Sequence, residues 1–271
     1  MILRITKATP AAIRWGNSEI QKVAQEGARN HGLLNIGVED FFNIELRIPE
    51  KAEQEKIADF LSAVDQKIDL ENQKLENLEK YKKSITQQIL TQKLRFSEFT
   101  GLINMKKIKD CKGITVKKGR ALSSSDLVSG NYPVVAGGKT SPYSHNDYTN
   151  ENAVTISASG AYAGYISYHK GRFWASDCSV VECDHNYNDM VFVYNALLIN
   201  QGDIYSCQTG GAQPHVYPDN IKNIRIWLPE LDEQQKIAGF LSSIDEKTDL
   251  QKTKLDHLKT FKKSLLQRMF V

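Results

Sequence analysis

Apolar residues recur along two stretches of this chain at steps of three, four and seven. Ile57, Leu61, Val64, Ile68, Leu75, Leu78, Ile85 and Ile89 form one series, and Ile237, Leu241, Ile244, Leu255, Leu258, Leu265 and Met269 form the other. That spacing predicts, in each stretch, one long helix with a coiled-coil seam. Pro49 and Pro229 stand before the two series, followed by Glu50, Glu53 and Glu55 in one and by Glu230, Asp232 and Glu233 in the other. Proline is tolerated in a first helical turn, and acids there face the positive end of the helix dipole. Lysines gather late, as Lys80, Lys82 and Lys83 and again as Lys262 and Lys263 with Arg268, which suits the negative end. At 1.5 Å per residue, about forty residues make a rod of roughly 60 Å.

The two stretches are copies. The forty-two residues from Pro49 return from Pro229, without a gap, at an offset of 180 residues, with about half of the positions identical. Units that far apart exclude a short-period solenoid and point to a long unit used twice, with pseudo-symmetry as the consequence. Polar residues recur on the seam, Glu71 with Gln251 and Lys82 with Lys262. Such positions fix register and partner in coiled coils, and solvent exposure accounts for them as well.

Between the copies the pattern changes. From about Asn104 to Leu228, short runs such as NYPVVAGG, NAVTISASG, AGYISYHKG and RFWASDCSVVEC are rich in β-branched and aromatic residues and bounded by turn formers, which predicts a mainly β domain. DMVFVYNALLINQ, Asp189 to Gln201, is too densely apolar for a half-exposed strand and predicts a helix. The expected fold class is α+β: one mainly β domain with short helices, flanked by two long coiled-coil-forming helices. The expected organisation is 1–48, 49–96 for the first long helix, 97–228 for the β domain and 229–271 for the second long helix.

Composition removes several function classes. With 25% charged residues and a net charge of +3, charge alone does not identify an anionic partner. Cys111, Cys178, Cys183 and Cys207 form no CxxC pair and have no histidine at ligand spacing, so reduced thiols in a cytoplasmic protein are expected, with no metal and no cofactor. No stretch approaches a membrane span, and residues 1–20 lack the apolar core of a signal peptide. Gly138-Lys139-Thr140 in YPVVAGGKTSPYSHN has the look of a phosphate loop. The glycine such a loop needs five residues earlier is Pro133, and Pro142 breaks the chain where its helix would begin.

The opening of each long helix, IPEKAEQEKIADFL and LPELDEQQKIAGFL, and its close, KYKKSITQQIL and TFKKSLLQRMF, resemble the conserved helical regions of type I restriction-modification specificity subunits. The resemblance covers nearly the whole chain. It implies that 97–228 is a target-recognition domain and that 1–48 resembles the tail of another, with Asn17 to Ala28 as its last helix and FFNIELRIP as its exit strand, Phe41 matching Ile221. In that family the subunit reads DNA and performs no chemistry. Its partners are double-stranded DNA, a methyltransferase subunit and, through the complex, a restriction and translocation subunit. The sequence agrees, with no Asn-Pro-Pro-Phe or Asp-Pro-Pro-Tyr signature and no nuclease pattern. A homodimer would supply a second recognition domain and a partner for each helix. Two other readings are a partial or silent cassette, and a coiled-coil scaffold with a β-rich protein-binding module.

Under this resemblance the DNA-facing candidates divide by chemistry. Lys117, Lys118 and Arg120, in a segment that also holds Lys106, Lys107, Lys109 and Lys112, suit phosphates. Lys139, Thr140, Ser141, Tyr143, Ser144 and His145 would form a loop of donors and acceptors, with Ser157, Ser159 and Tyr162 in ISASGAYAG, Lys170 and Arg172 around a hairpin-like Gly171, and Gln213 and His215 in TGGAQPH. Phe173 and Trp174 are expected in the core.

Overall fold

The structure, a computed structural model, describes residues 25–26, 34–35, 38–43, 49–102, 104–123, 126–138 and 143–269. The chain divides into two compact units, one of residues 1–79 with 247–271 and the other of residues 80–246. Among the described residues the elements are, in chain order, β1 (Gln25–Glu26), β2 (Leu34–Asn35) and α1 (Val38–Phe42), followed by the long helix α2 (Lys51–Leu90). Strands β3 (Met105–Lys107), β4 (Ile114–Lys118), β5 (Tyr132–Val135), β6 (Ser144–His145), β7 (Asn150–Ser157), β8 (Ile166–Ala175) and β9 (Cys178–Cys183) come next. Helices α3 (Met190–Ile199), α4 (Gln201–Ser206) and α5 (Pro218–Lys222), strand β10 (Arg225–Trp227) and the long helix α6 (Leu231–Met269) follow. The α+β class and both long helices are as the periodicity indicates.

In the first unit the two long helices pair antiparallel. Asp65 meets Lys262, Glu71 meets Gln251 and Lys254, and Glu79 meets Lys252, so ascending numbers on α2 face descending numbers on α6. Ile68 and Leu255 are buried on this seam, while Leu70 and Leu250, off it, are largely exposed. The seam residues Glu71 and Gln251 bond to one another, and Lys262 is ion-paired, so these polar positions are partnered. Residues 25–26, expected in a helix over 17–28, are extended and pair antiparallel with residues 34–35. The remainder of that expected helix lies outside the described residues. Helix α1 occupies residues 38–42 and α5 occupies 218–222, the same positions of the 180-residue repeat. Phe41 is therefore helical, like Ile221, and the part of the expected exit strand over 44–48 lies outside the described residues.

In the second unit a six-stranded sheet of order β4-β9-β7-β8-β5-β6 is antiparallel except for the β5–β8 pair, and β10 pairs separately with β3. One face of the sheet carries Ile114, Val116, Val154, Ile156, Ile166 and Val181 into the main core, against Phe192, Val193 and Leu197 of α3 and against Ile85, Ile89, Ile237 and Leu241 of the long helices. A second cluster holds Val135, Ala153, Phe173, Ala175, Cys178 and Val180. With both faces covered, the central strands β7 and β9 carry continuous buried runs, residues 153–157 and 178–181, rather than alternating ones. The expected helix from Asp189 starts one residue later, because the Asp189 carboxylate caps it by accepting from the amides of Val191 and Phe192 at 2.8 and 3.0 Å. Among the described residues no helix is long and apolar enough to cross a membrane.

The repeated Glu-Gln pair at each helix start has a structural purpose. Gln54 Nε2 donates to the Pro49 carbonyl at 2.7 Å, and Gln234 Nε2 donates to the Pro229 carbonyl at 2.8 Å, the same bond made at both copies. Gln234 is buried, and its Oε1 also accepts from the Asp189 amide at 3.0 Å, so this side chain ties the start of α6 to the start of α3.

Candidate nucleic-acid interface

Three segments far apart in sequence converge within the second unit. After β5, the Gly137 carbonyl accepts from Ser157 Oγ at 2.7 Å. After β7, the Ala158 carbonyl accepts from the Val216 amide at 2.9 Å, and the Gly160 amide donates to the Pro214 carbonyl at 3.1 Å. Ser159 and His215 form a β-bridge, and Thr209 and His215 exchange backbone bonds at 3.0 and 2.8 Å, closing the glycine-rich 209–215 turn. The runs AGG, ISASGAY and TGGAQPH are thus built into one loop cluster. Gly160 has φ +77 and Gly164 φ +87, and a Cβ on Gly164 would meet Tyr205 at 3.0 Å, so both turns require glycine.

The cluster is polar and aromatic at its surface. Tyr162 and Tyr217 are 45% and 55% exposed, Gln213 is exposed, and the half-buried His215 ring lies parallel to that of Tyr217, with centroids 6.1 Å apart. Ser159 Oγ donates to the carboxylate of Asp177, which fixes the loop from β8 to β9 against it. A cavity of about 290 Å³ opens beside this cluster, lined by Ala136, Gly138, Thr155, Ser157, Ser167 and His169. Burial lowers the His169 pKa, and its Nε2 lies 2.8 Å from Thr155 Oγ1.

The remaining candidates lie in three settings. Lys117 and Lys118 stand exposed on β4 at the edge of the sheet, Lys117 beside Glu182 at 3.4 Å. Arg120 is exposed, with its guanidinium 5.2 Å from the Trp174 ring centre, and its carbonyl accepts from the Trp174 indole at 2.9 Å. Tyr143 is exposed, and the Ser144 hydroxyl accepts from the Gly130 amide at 3.2 Å. Lys139, Thr140 and Ser141 lie outside the described residues. Phe173 and Trp174 are core residues, as expected.

Two placements differ from the sequence reading, and so does one turn. Ser157 is buried and its hydroxyl is engaged by Gly137, so it shapes the loop rather than facing outward. His145 is also buried, its ring against Trp174 at 4.6 Å and its Nδ1 accepting from the Asp147 amide at 2.9 Å. Gly171 is not in a hairpin turn but inside the ten-residue strand β8, where the register with β7 shifts between Glu151 and Ala153. At φ +78 it donates its amide to Asn152 Oδ1 at 2.7 Å, and this bulge leaves Lys170 exposed. Arg172 is held against Tyr148, 4.7 Å from the ring centre, and Glu151 at 3.3 Å. Asp177, Tyr148 and Tyr217 were not singled out by the sequence, although an aromatic next but one to His215 was a usable signal.

The arrangement contains a loop cluster and scattered cations on a sheet whose core is continuous with the end of α2 and the start of α6. This is a mainly β module packed with helices. The chain belongs to the family described as the type I restriction modification DNA specificity domain, whose model matches residues 20–80 and 102–260. The chain is similar to the type I restriction enzyme MjaVIII specificity subunit of Methanocaldococcus jannaschii, with 28% identity over 121 residues, covering 45% of this chain and 28% of the relative. The match therefore spans under a third of that relative's length. Its fold is also that of the crystal structure of a type I restriction-modification system S subunit from M. genitalium, with TM-score 0.64, 21% identity and coverage of 96% of this chain and 71% of the other. A chain from a structural study of complex assembly and conformational transition of the type I R-M system gives TM-score 0.61 at 14% identity, covering 94% of this chain and 67% of the other.

Proposed function

We propose that this chain is a non-catalytic DNA-reading subunit that directs a methyltransferase subunit, and through the complex a restriction subunit, to a bipartite target in the cytoplasm. The observation that carries this reading is the convergence of the 136–138, 157–164 and 209–216 segments into one surface that bears Tyr162, Gln213, His215 and Tyr217. Loops braced by backbone bonds on a packed sheet present fixed donors and acceptors, which base-edge reading requires. Lys117, Lys118, Arg120 and Lys170 would neutralise phosphates and position the duplex, and Arg172 would hold Tyr148 for it. The 97–228 domain reads one half of the target. The other half is read by a domain to which residues 1–48 belong, or by a second copy of the chain.

The test is to co-express the chain with its methyltransferase subunit in a methylation-free host and map methyladenine across the genome. An interrupted motif is expected. A palindromic motif identifies a second copy as the other reader, and an asymmetric one identifies a different domain. Absence of any motif, together with absence of salt-dependent DNA binding, would leave the protein-binding scaffold as the better account.

A further inference from the structure

Two helices that share half of their residues carry an ambiguity. Each could pair with a copy of itself, or with the other helix displaced by one heptad, and keep most of the same apolar seam. Glu71 bears on this ambiguity. It has no exposed surface, and its Oε2 and its backbone carbonyl accept from Gln251 Nε2 at 2.7 and 2.9 Å. Its Oε1 faces Lys254 of α6 at 2.9 Å, and Lys67 and Lys74 of its own helix at 2.9 and 3.5 Å. Gln251 is the repeat counterpart of Glu71, so one repeat position meets itself here with different chemistry on the two sides.

The surroundings are matched where the centre is not. Lys67 and Lys74 have Lys247 and Lys254 as their repeat counterparts, so the lysine cradle is the same in both copies. The ion pairs Lys262–Asp65 and Lys82–Asp245 are likewise one pair of repeat positions with the helices exchanged. We propose that Glu71 and Gln251 form a pairing lock that makes α2 choose α6, in this register, over either alternative. A pairing of α2 with another α2 would bring two Glu71 carboxylates to one level. A shift by one heptad would set Glu71 against Leu258 or Ile244 in place of Gln251, leaving a buried carboxylate without the amide that receives it. The lock is independent of what the recognition domain binds.

The test uses the full chain as wild type, Glu71→Gln, Gln251→Glu and the exchanged double variant. Melting is followed by circular dichroism, and register is read by zero-length carbodiimide cross-linking of Lys262 to Asp65 and of Lys82 to Asp245, mapped by mass spectrometry. Each single variant is expected to melt earlier and to lose roughly threefold to tenfold in cross-link yield, the range set by one hydrogen bond of ordinary net strength. The exchanged variant is expected to recover most of both losses, because the cradle offers Lys247 and Lys254 to a carboxylate at position 251 as it offers Lys67 and Lys74 to one at 71. Glu71→Gln with wild-type cross-link yield overturns the proposal. So does an exchanged variant that is unfolded or that shows only the sum of the single losses, since a purely local packing role would not be rescued.

Discussion

Arg95 and Glu233 meet fork to fork, with Nε and Nη2 donating to the two carboxylate oxygens at 2.7 Å each. Arg95 Nη1 also donates to the Gly101 carbonyl at 2.6 Å, and the guanidinium lies 5.6 Å from the Trp227 ring centre. The Glu233 side chain is 3% exposed, so removing its partner strands a buried charge. Arg95→Met and Glu233→Gln should each lower Tm by roughly 5–10 °C in calorimetry, with Arg95→Lys between them and wild type because a lysine cannot make the fork. An unchanged Tm for all three would mean that water already satisfies both groups.

Gln54 and Gln234 make the same bond in different surroundings. Gln54 is exposed, so Gln54→Ala should cost under about 0.5 kcal/mol, since water replaces the lost donor. Gln234 is buried and also serves the Asp189 amide, so Gln234→Ala should cost about 2–3 kcal/mol by leaving that amide and the Pro229 carbonyl unpaired. Urea melts of the two variants compare them directly, and equal losses would contradict the burial argument.

Much of the fold was legible because helical periodicity and the internal repeat are local signals that survive without knowledge of contacts. The helix from Lys51 to Leu90 could be assigned from the spacing of Ile57 to Ile89 alone. The candidate site was legible as three segments but not as one place, because their meeting depends on backbone bonds such as Gly160 to Pro214, which span more than fifty residues and leave no periodic trace. Ser157 and Lys117 illustrate the same limit. Both are polar strand residues, yet one is buried and bonded to Gly137 while the other is exposed at an edge, a difference set by strand order rather than by residue type.

Hydrogen bonds from Gln251, then from Lys254 and Lys67, hold the Glu71 carboxyl well below the usual carboxylate range. Against an unfolded value of about 4.3, a depressed folded value gives stabilisation that is complete above about pH 5 and is lost as pH falls through the folded value. The Tm difference between wild type and Glu71→Gln should therefore be constant from neutral pH down to about 5 and narrow below about 4. A difference that grows on acidification would show the opposite sign of shift.

Gly160 and Gly164 separate backbone strain from crowding. Both have φ near +80, but a Cβ on Gly160 meets nothing within 4 Å whereas one on Gly164 meets Tyr205 at 3.0 Å. Gly160→Ala should cost about 1–2 kcal/mol, the left-handed penalty alone, and Gly164→Ala should cost more because Tyr205 must also move. Chemical denaturation reads the difference, and equal costs would mean that Tyr205 yields freely.

Under the proposed DNA reading, the cations and the loop cluster should fail in different ways. Lys117→Ala, Lys118→Ala and Lys170→Ala each remove an exposed charge, so each should weaken binding to all duplexes alike and reduce the slope of log K against log salt by about 1. Gln213→Ala and Tyr162→Ala leave the charge unchanged and alter the surface built by the Gly160–Pro214 and Ser159–His215 links. They should cost about 1–3 kcal/mol on the true target, leave non-specific binding intact, and relax the methylated motif at one or two positions. Fluorescence anisotropy across a salt series, paired with methylome mapping, distinguishes the two classes. If the lysine variants changed the motif while the loop variants changed only the salt slope, the reading surface would have to be moved from the loop cluster to the β4 edge.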